Sequence, residues 1–171
     1  MKWIIFTGTW RLTNEEVERD VRESVRSVLD QGDAIITGGA LGVDWYCMDE
    51  ALIHDPEMKK LLVIIPGTLE QYIEHFHNAL DVGTISKSSF ISLEHTLREI
   101  YNRNPKAILE LPYEEITDKE YFARDQEEVD RADAIYAFQV NNSVGAQDTI
   151  NRGMKKGIPI LLHKKYTILE I

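Results

Sequence analysis

The sequence predicts an α/β protein built on a doubly wound, mostly parallel sheet of about five to seven strands with helices on both faces. Three observations predict it. Short, wholly apolar runs recur: Trp3-Ile4-Ile5-Phe6, Ala34-Ile35-Ile36, Leu61-Leu62-Val63-Ile64-Ile65. A run without polar alternation is a strand buried on both faces, as in parallel sheets. Stretches with apolar residues at three-to-four spacing separate these runs, so the chain opens β-α-β-α-β. Glycine follows each of the three runs, at Gly8, at Gly38-Gly39 and at Gly67.

A chain of 171 residues with 43% hydrophobic content can bury one full core, so a single domain over residues 1–171 is expected. Acids outnumber bases, 29 Asp+Glu against 19 Lys+Arg, for a net charge of −10. Nucleic-acid affinity comes from neutralising phosphates, so this surface disfavours DNA as a partner. The lone cysteine, Cys47, excludes an internal disulfide, and no Cys/His cluster points to a metal. His75 and His77 sit two apart, which puts them on different faces of a helix. No apolar stretch approaches membrane length, and the opening MKWIIFTGTWR holds too short an apolar run for a secretory signal. The expectation is a soluble, cytoplasmic protein.

The elements follow in order. Strand 3–7 ends in the loop Thr7-Gly8-Thr9-Trp10-Arg11. Thr13 or Asn14 caps the next helix, Glu15 and Glu16 favour its first turn, and Val17, Val21, Val25, Val28 and Leu29 form its apolar stripe. Gly32 stops it. Strand 33–37 leads through the glycines into a helix over 43–54, and strand 61–65 ends at Pro66-Gly67. Residues 69–80 read as a helix, 81–89 as a polar turn and 92–102 as a helix. Residues 106–111 read as a strand whose flanking prolines, Pro105 and Pro112, suit an edge or a connection. One acidic helix covers 117–131. Strand 134–138, a loop over 141–145, a helix over 146–156 closed by Gly157, and strand 158–162 complete the core. Residues 166–171 read as a further short edge strand.

The stretch from Asp33 to Leu52 carries the main functional signal. Buried strand, three glycines within five residues (Gly38, Gly39, Gly42), then a helix from Val43: that order aims backbone N–H groups and a helix dipole at one point. It reads as a phosphate cradle over Gly38 to Val43, with Ala40 inside it, for a nucleotide-like ligand. The spacing is GGxxG, neither a dinucleotide fingerprint nor a P-loop. The plainer reading is a tight strand-to-helix turn. The loops at Gly8-Thr9-Trp10-Arg11 and at Asn141 to Gly145 follow strands in the same way, and such loops meet at the carboxyl edge of a doubly wound sheet. Arg11 is either a two-pronged phosphate contact or a surface ion pair. Ser143 and Gly145 hold a second anion, or Ser143 simply caps a helix. Asp44 caps its helix or accepts a ribose hydroxyl. Trp10, Trp45 and Tyr46 flank the glycines as core, rim or base-stacking rings. No spacing of Ser, His and Asp marks a catalytic triad.

Read together, TGTWR, IITGGALGVDWYCMDEAL and VIIPG, with the tail RDQEEVDRADAIYAF and NNSVGAQDTINRGMKKGIPILL, resemble a known superfamily. It is the Rossmann-like superfamily that joins the DNA-processing protein A domain to the Lonely Guy cytokinin-activating enzymes (SLOG). The tail is also similar to nucleoside deoxyribosyltransferases. The resemblance covers about residues 1–67 and 122–163 and leaves the middle unmatched. It implies a Rossmann-like fold and nucleotide contacts at Gly8, Arg11, Gly38, Gly39, Ala40, Gly42, Asp44, Ser143 and Gly145, with Arg124 or Asp125 approaching the same site. Lonely Guy enzymes carry Pro-Gly-Gly-x-Gly-Thr-x-x-Glu, whereas this chain has Gly145-Ala146 for the Gly-Thr and Thr149 for the Glu.

Two functions follow as expectations. One is a sensor or binding protein that takes a nucleotide or nucleotide-derived ligand. The other is an enzyme that cleaves or transfers an N-glycosidic bond, with Asp44, Asp125 and Asp148 as the nearby acids. A DNA-binding recombination factor is disfavoured by the acid excess. Apolar residues across 69–101, beyond what the sheet's faces require, predict a dimer or tetramer.

Overall fold

The apolar runs become the strands of one sheet in the computed structural model, which describes residues 1–170. These are β1 (Trp3–Gly8), β2 (Ala34–Thr37), β3 (Leu61–Ile65), β4 (Ile108–Glu110), β5 (Ala134–Val140) and β6 (Ile160–Tyr166). The sheet order is β4-β3-β2-β1-β5-β6, and every pairing is parallel. Period-two alternation explains why the runs carry no polar residue. Ile4, Phe6, Ile35, Val63 and Ile65 face one helical layer, while Ile5, Ile36, Ile64 and Ile135 face the other.

The helices are α1 (Glu15–Asp30), α2 (Val43–His54), α3 (Leu69–Asp81), α4 (Lys87–Arg103), α5 (Asp118–Arg131) and α6 (Val144–Lys156). Helices α1 to α4 bury their apolar stripes in the first layer, and α5 and α6 bury Val129 and Ile150 in the second. Asn14 caps α1 by accepting the Val17 N–H at 3.0 Å. The chain moves outward from β1 to β4 on one side and returns through α5 to β5 on the other side of β1. The reversal between β1 and β5 is the switch point where such sheets open a crevice at their carboxyl edge.

Four expectations change. Helix α4 starts at Lys87, not near 92, because Ser86 caps it by accepting the Ser89 N–H at 3.1 Å. Helix α6 starts at Val144, so Gly145 is helical rather than part of a loop. No strand forms over 167–170, and Ile171 lies outside the described residues. Pairing with β5 ends at Val140–Tyr166, and the Asn141 side chain then clamps the backbone of Ile168, donating to its O at 2.8 Å and accepting from its N–H at 3.0 Å. Finally, α3 and α4 fold over the first layer, where Tyr72, Ile73, Phe76, Leu93, Leu97 and Ile100 join the core. Segment 69–101 thus covers its own apolar face, and that face gives no ground for self-association.

Candidate functional site

A cleft of about 400 Å³ opens at the carboxyl edge, between the loops after β1 and β2 and the α3–α4 connection. The loops after β1 and β2 and the start of α2 contribute Trp10, Arg11, Gly42, Trp45 and Tyr46 to its lining, and the α3–α4 connection with α4 contributes Ser86, Ser88, Ser89 and Ser92. The two rings on α2 are fixed. Trp45 Nε1 donates to Thr96 Oγ1 at 3.1 Å, and the Tyr46 hydroxyl bonds Thr13 Oγ1 at 2.7 Å. The Arg22 guanidinium lies 5.7 Å from the centroid of each ring. It is itself held by Glu18 at 2.9 Å, Asp49 at 2.8 Å and Glu50 at 3.0 Å. Such a platform presents fixed aromatic edges and faces without reordering when something binds.

The glycine turn is filled largely by the chain itself. A Cβ on Gly38 would stand 2.2 Å from Arg124 Nη1 and 2.9 Å from Asp44 Oδ2. Gly42, at φ +69°, lies so close to the β1 loop that a Cβ would meet the Thr9 carbonyl at 2.4 Å. A Cβ on Gly39 would meet Val63 at 2.8 Å. The Val43 N–H donates to the Thr9 carbonyl at 3.1 Å, and the Ala40 N–H donates to Asp44 Oδ2 at 3.1 Å. Gly8 is tight for the same kind of reason: a Cβ there would meet Val43 Cγ2 at 2.4 Å. The three glycines therefore answer a packing demand, and the spacing that suggests a cradle also serves a close turn.

Beneath the turn lies a knot of buried charge. Arg124, on α5, donates to the Gly38 carbonyl through Nη1 and to Asp125 Oδ1 at 3.1 Å, with Glu128 Oε1 at 3.8 Å. Its guanidinium also lies 5.3 Å from the Tyr121 ring. Asp44 accepts from Thr37 Oγ1 at 2.9 Å as well as from Ala40. Burial raises the Asp44 carboxyl, which Arg124, Ala40 and Thr37 only partly offset. Burial, reinforced by the Asp148 carboxyl against it, pushes Asp125 up to about 7 despite Arg124. Burial raises Glu128 as well. Burial also opposes the charge on Arg124, but Glu128 and Asp125 outweigh it and keep the guanidinium protonated.

The predicted site residues thus separate. Arg11 and Gly42 line the cleft; Gly38, Ala40, Asp44 and Arg124 belong to the buried knot; Gly8, Thr9, Gly39 and Val43 pack the turn. Ser143 and Gly145 head α6 and do not line the cleft. The Ser143 hydroxyl is buried without a hydrogen-bond partner, and a Cβ on Gly145 would meet nothing within 4 Å. The serines Ser86, Ser88, Ser89 and Ser92 carry no motif in the sequence, because TISKSSFIS reads as a polar turn followed by a helix. The helix-capping pattern of Ser86 is the signal that could have placed them.

The fold and the placement of the cleft define a Rossmann-like α/β protein with an opening at the carboxyl edge of its sheet. Among solved structures the chain is similar to DNA processing protein A from Helicobacter pylori, a protein described for its single-stranded DNA binding mode. That similarity has 17% identity and a TM-score of 0.67, and covers 99% of this chain and 66% of the other. DNA processing protein A from Streptococcus pneumoniae is similar at 15% identity and a TM-score of 0.61, over 99% of this chain and 51% of the other. A molybdenum cofactor carrier protein from Chlamydomonas reinhardtii is similar at 16% identity and a TM-score of 0.54, over 99% and 91%. The chain thus spans two thirds or less of the two DNA processing proteins. At these identities the likeness shows a shared Rossmann-like fold, the one that the SLOG resemblance implies. No family model matches the chain, and no curated protein matches it. Among the described residues no helix is long and apolar enough to cross a membrane.

Proposed function

We propose that the protein binds a nucleotide or nucleotide-derived ligand at the carboxyl edge of its sheet. The observation that carries this reading is the cleft beside the β1 and β2 loops, where Trp10, Trp45 and Tyr46 supply rings and Arg11 supplies charge. Rings accept a base by stacking, and a guanidinium accepts phosphate in two-pronged fashion. Concave, partly aromatic sites with a few polar groups are the usual small-ligand sites. A thermal-shift screen of the common nucleotides tests it. A ligand at 100 times its dissociation constant adds about 2.7 kcal/mol of stability. A flat response across the panel at millimolar concentration overturns the reading.

A second reading, cleavage or transfer of an N-glycosidic bond, draws on the Asp125 carboxyl, which Asp148 and burial raise and which lies outside the lining of the cleft. A carboxyl raised to about 7 is protonated often enough at neutral pH to act as a general acid toward a departing base. Release of free base from a nucleotide, lost in Asp125→Asn, supports it. DNA binding is the property described for a fold neighbour. The net charge of −10 weighs against it here, and tight binding of single strands at physiological salt would reverse that judgement.

A further inference from the structure

Arg11 stands apart from the other arginines. The chain has nine, and eight of them have a carboxylate oxygen at 3.7 Å or closer. Among the described residues Arg11 has no such partner. Its surroundings explain why. None of the residues that line the cleft is Asp or Glu, in a chain that holds 29 of them. An acid-free concavity on a protein of net charge −10 is a local minimum of repulsion for an anion, and Arg11 makes it attractive.

The same cleft is lined by a set of hydroxyls, Ser86, Ser88, Ser89 and Ser92. Ser86 Oγ lies 2.9 Å from Ser89 Oγ and 3.2 Å from Ser88 Oγ, so the three hydroxyls form one cluster. Hydroxyls turn to donate or accept, which suits phosphate oxygens as well as water. The glycine turn is less able to serve, since the Ala40 and Val43 N–H groups are engaged within the chain and Gly38 abuts Arg124.

We infer that the α3–α4 connection, together with Arg11, is the phosphate-selecting wall of the cleft. The ligand it takes is a phosphate ester of a flat ring system: the ring lies toward Trp45 and Tyr46, and the phosphate lies between Arg11 and Ser86–Ser89. This rests on the reading that the cleft takes a nucleotide. It relocates the phosphate from the glycine turn to Arg11 and the α3–α4 connection, the latter outside every stretch that carries the superfamily resemblance.

Calorimetric titration of the full chain with the four common ribonucleosides and their 5′-monophosphates tests the inference. At least one monophosphate is expected to bind tenfold or more tighter than its nucleoside. Arg11→Gln is expected to remove that preference while leaving nucleoside affinity within about twofold. Ser88→Asp is the sharper variant. An acid in the first turn of α4 favours the helix, so folding is preserved or improved, yet it places a negative charge in the acid-free cleft. Its melting temperature should hold while monophosphate affinity falls tenfold or more. If the preference persists in both variants, the phosphate lies elsewhere and the inference fails, while nucleotide binding stands. If neither compound of any pair binds the parent, both readings fall together.

Discussion

Two arginines at the carboxyl edge, Arg11 and Arg124, make opposite use of the same side chain. Arg124 is 9% exposed, and its guanidinium is shared among a backbone carbonyl, two carboxylates and a tyrosine ring. Arg11 is exposed, and among the described residues no carboxylate pairs with it. Both occupy positions where the superfamily resemblance implies ligand contact. The difference is one of electrostatic supply. Around Arg124 stand three buried carboxyls, Asp44, Asp125 and Glu128, so its charge serves the fold. No Asp or Glu lines the cleft beside Arg11, so its charge is open to a partner.

The largest way to test that contrast is to remove each charge. Arg124→Met should destabilise the protein by about 3–5 kcal/mol, because it strands buried carboxyls without their cation. Arg11→Gln should change stability by no more than about 0.5 kcal/mol. Urea unfolding of both variants decides it. Comparable losses in the two would mean that Arg11 is a structural ion-pair partner after all.

The pH dependence sharpens the contrast next. Asp125 rises from an ordinary value of 3.8 to about 7 on folding, and Asp44 and Glu128 are raised too. For an acid raised on folding, the folded state holds the proton that the unfolded chain releases. Its contribution is complete below pH 4 and is lost as pH rises toward 7. By the rule of ~1.4 kcal/mol per unit, the loss across that window is about 2–4 kcal/mol. Asp20 and Glu50 are lowered and oppose this on the acid side, since their contribution disappears as pH falls through their folded values. Unfolding curves for the parent and Asp125→Asn between pH 4 and 8 should diverge, with the variant showing the flatter profile. Parallel profiles would mean that Asp125 ionises as freely folded as unfolded.

Glycine substitutions separate the two sides of the edge by smaller amounts. Gly38→Ala drives a methyl into the Arg124 guanidinium and should cost about 1–3 kcal/mol by overpacking. Gly145→Ala meets open space in the first turn of α6 and should be neutral or stabilising by up to about 1 kcal/mol. Melting temperatures that move by the same amount in both would sink the distinction. The smallest expected effect is on Arg22. Arg22→Lys keeps a charge for Glu18, Asp49 and Glu50 but loses the planar group lying by Trp45 and Tyr46. A loss of about 0.5–1 kcal/mol with an altered tryptophan emission is expected. Unchanged emission would detach Arg22 from the aromatic wall.

Much of this was legible before any coordinates. A strand buried on both faces must be apolar at every position, and a covering helix must be apolar every third or fourth, so the order of strands and helices follows from local pattern alone. Caps and glycine stops set most helix ends to within a residue or two. The edge position of β4 is one of the two placements its prolines allow. The presence of ligand-competent groups near 8–11 and 38–44 was equally plain, because strand ends in such sheets share one edge. What local pattern could not decide is which charges meet. Arg11 lies in an uncharged stretch, whereas Arg124 has Asp125 beside it and Glu128 one turn on, and only the packing of α5 against the glycine turn buries that group and adds Asp44 to it. Nor could it say where α3 and α4 go: their apolar stripes fit a second subunit or their own sheet equally well, since burial rewards area and not identity. The fold sends them to the sheet, and in doing so it brings four serines, far from Arg11 in sequence, into the lining of the same cleft.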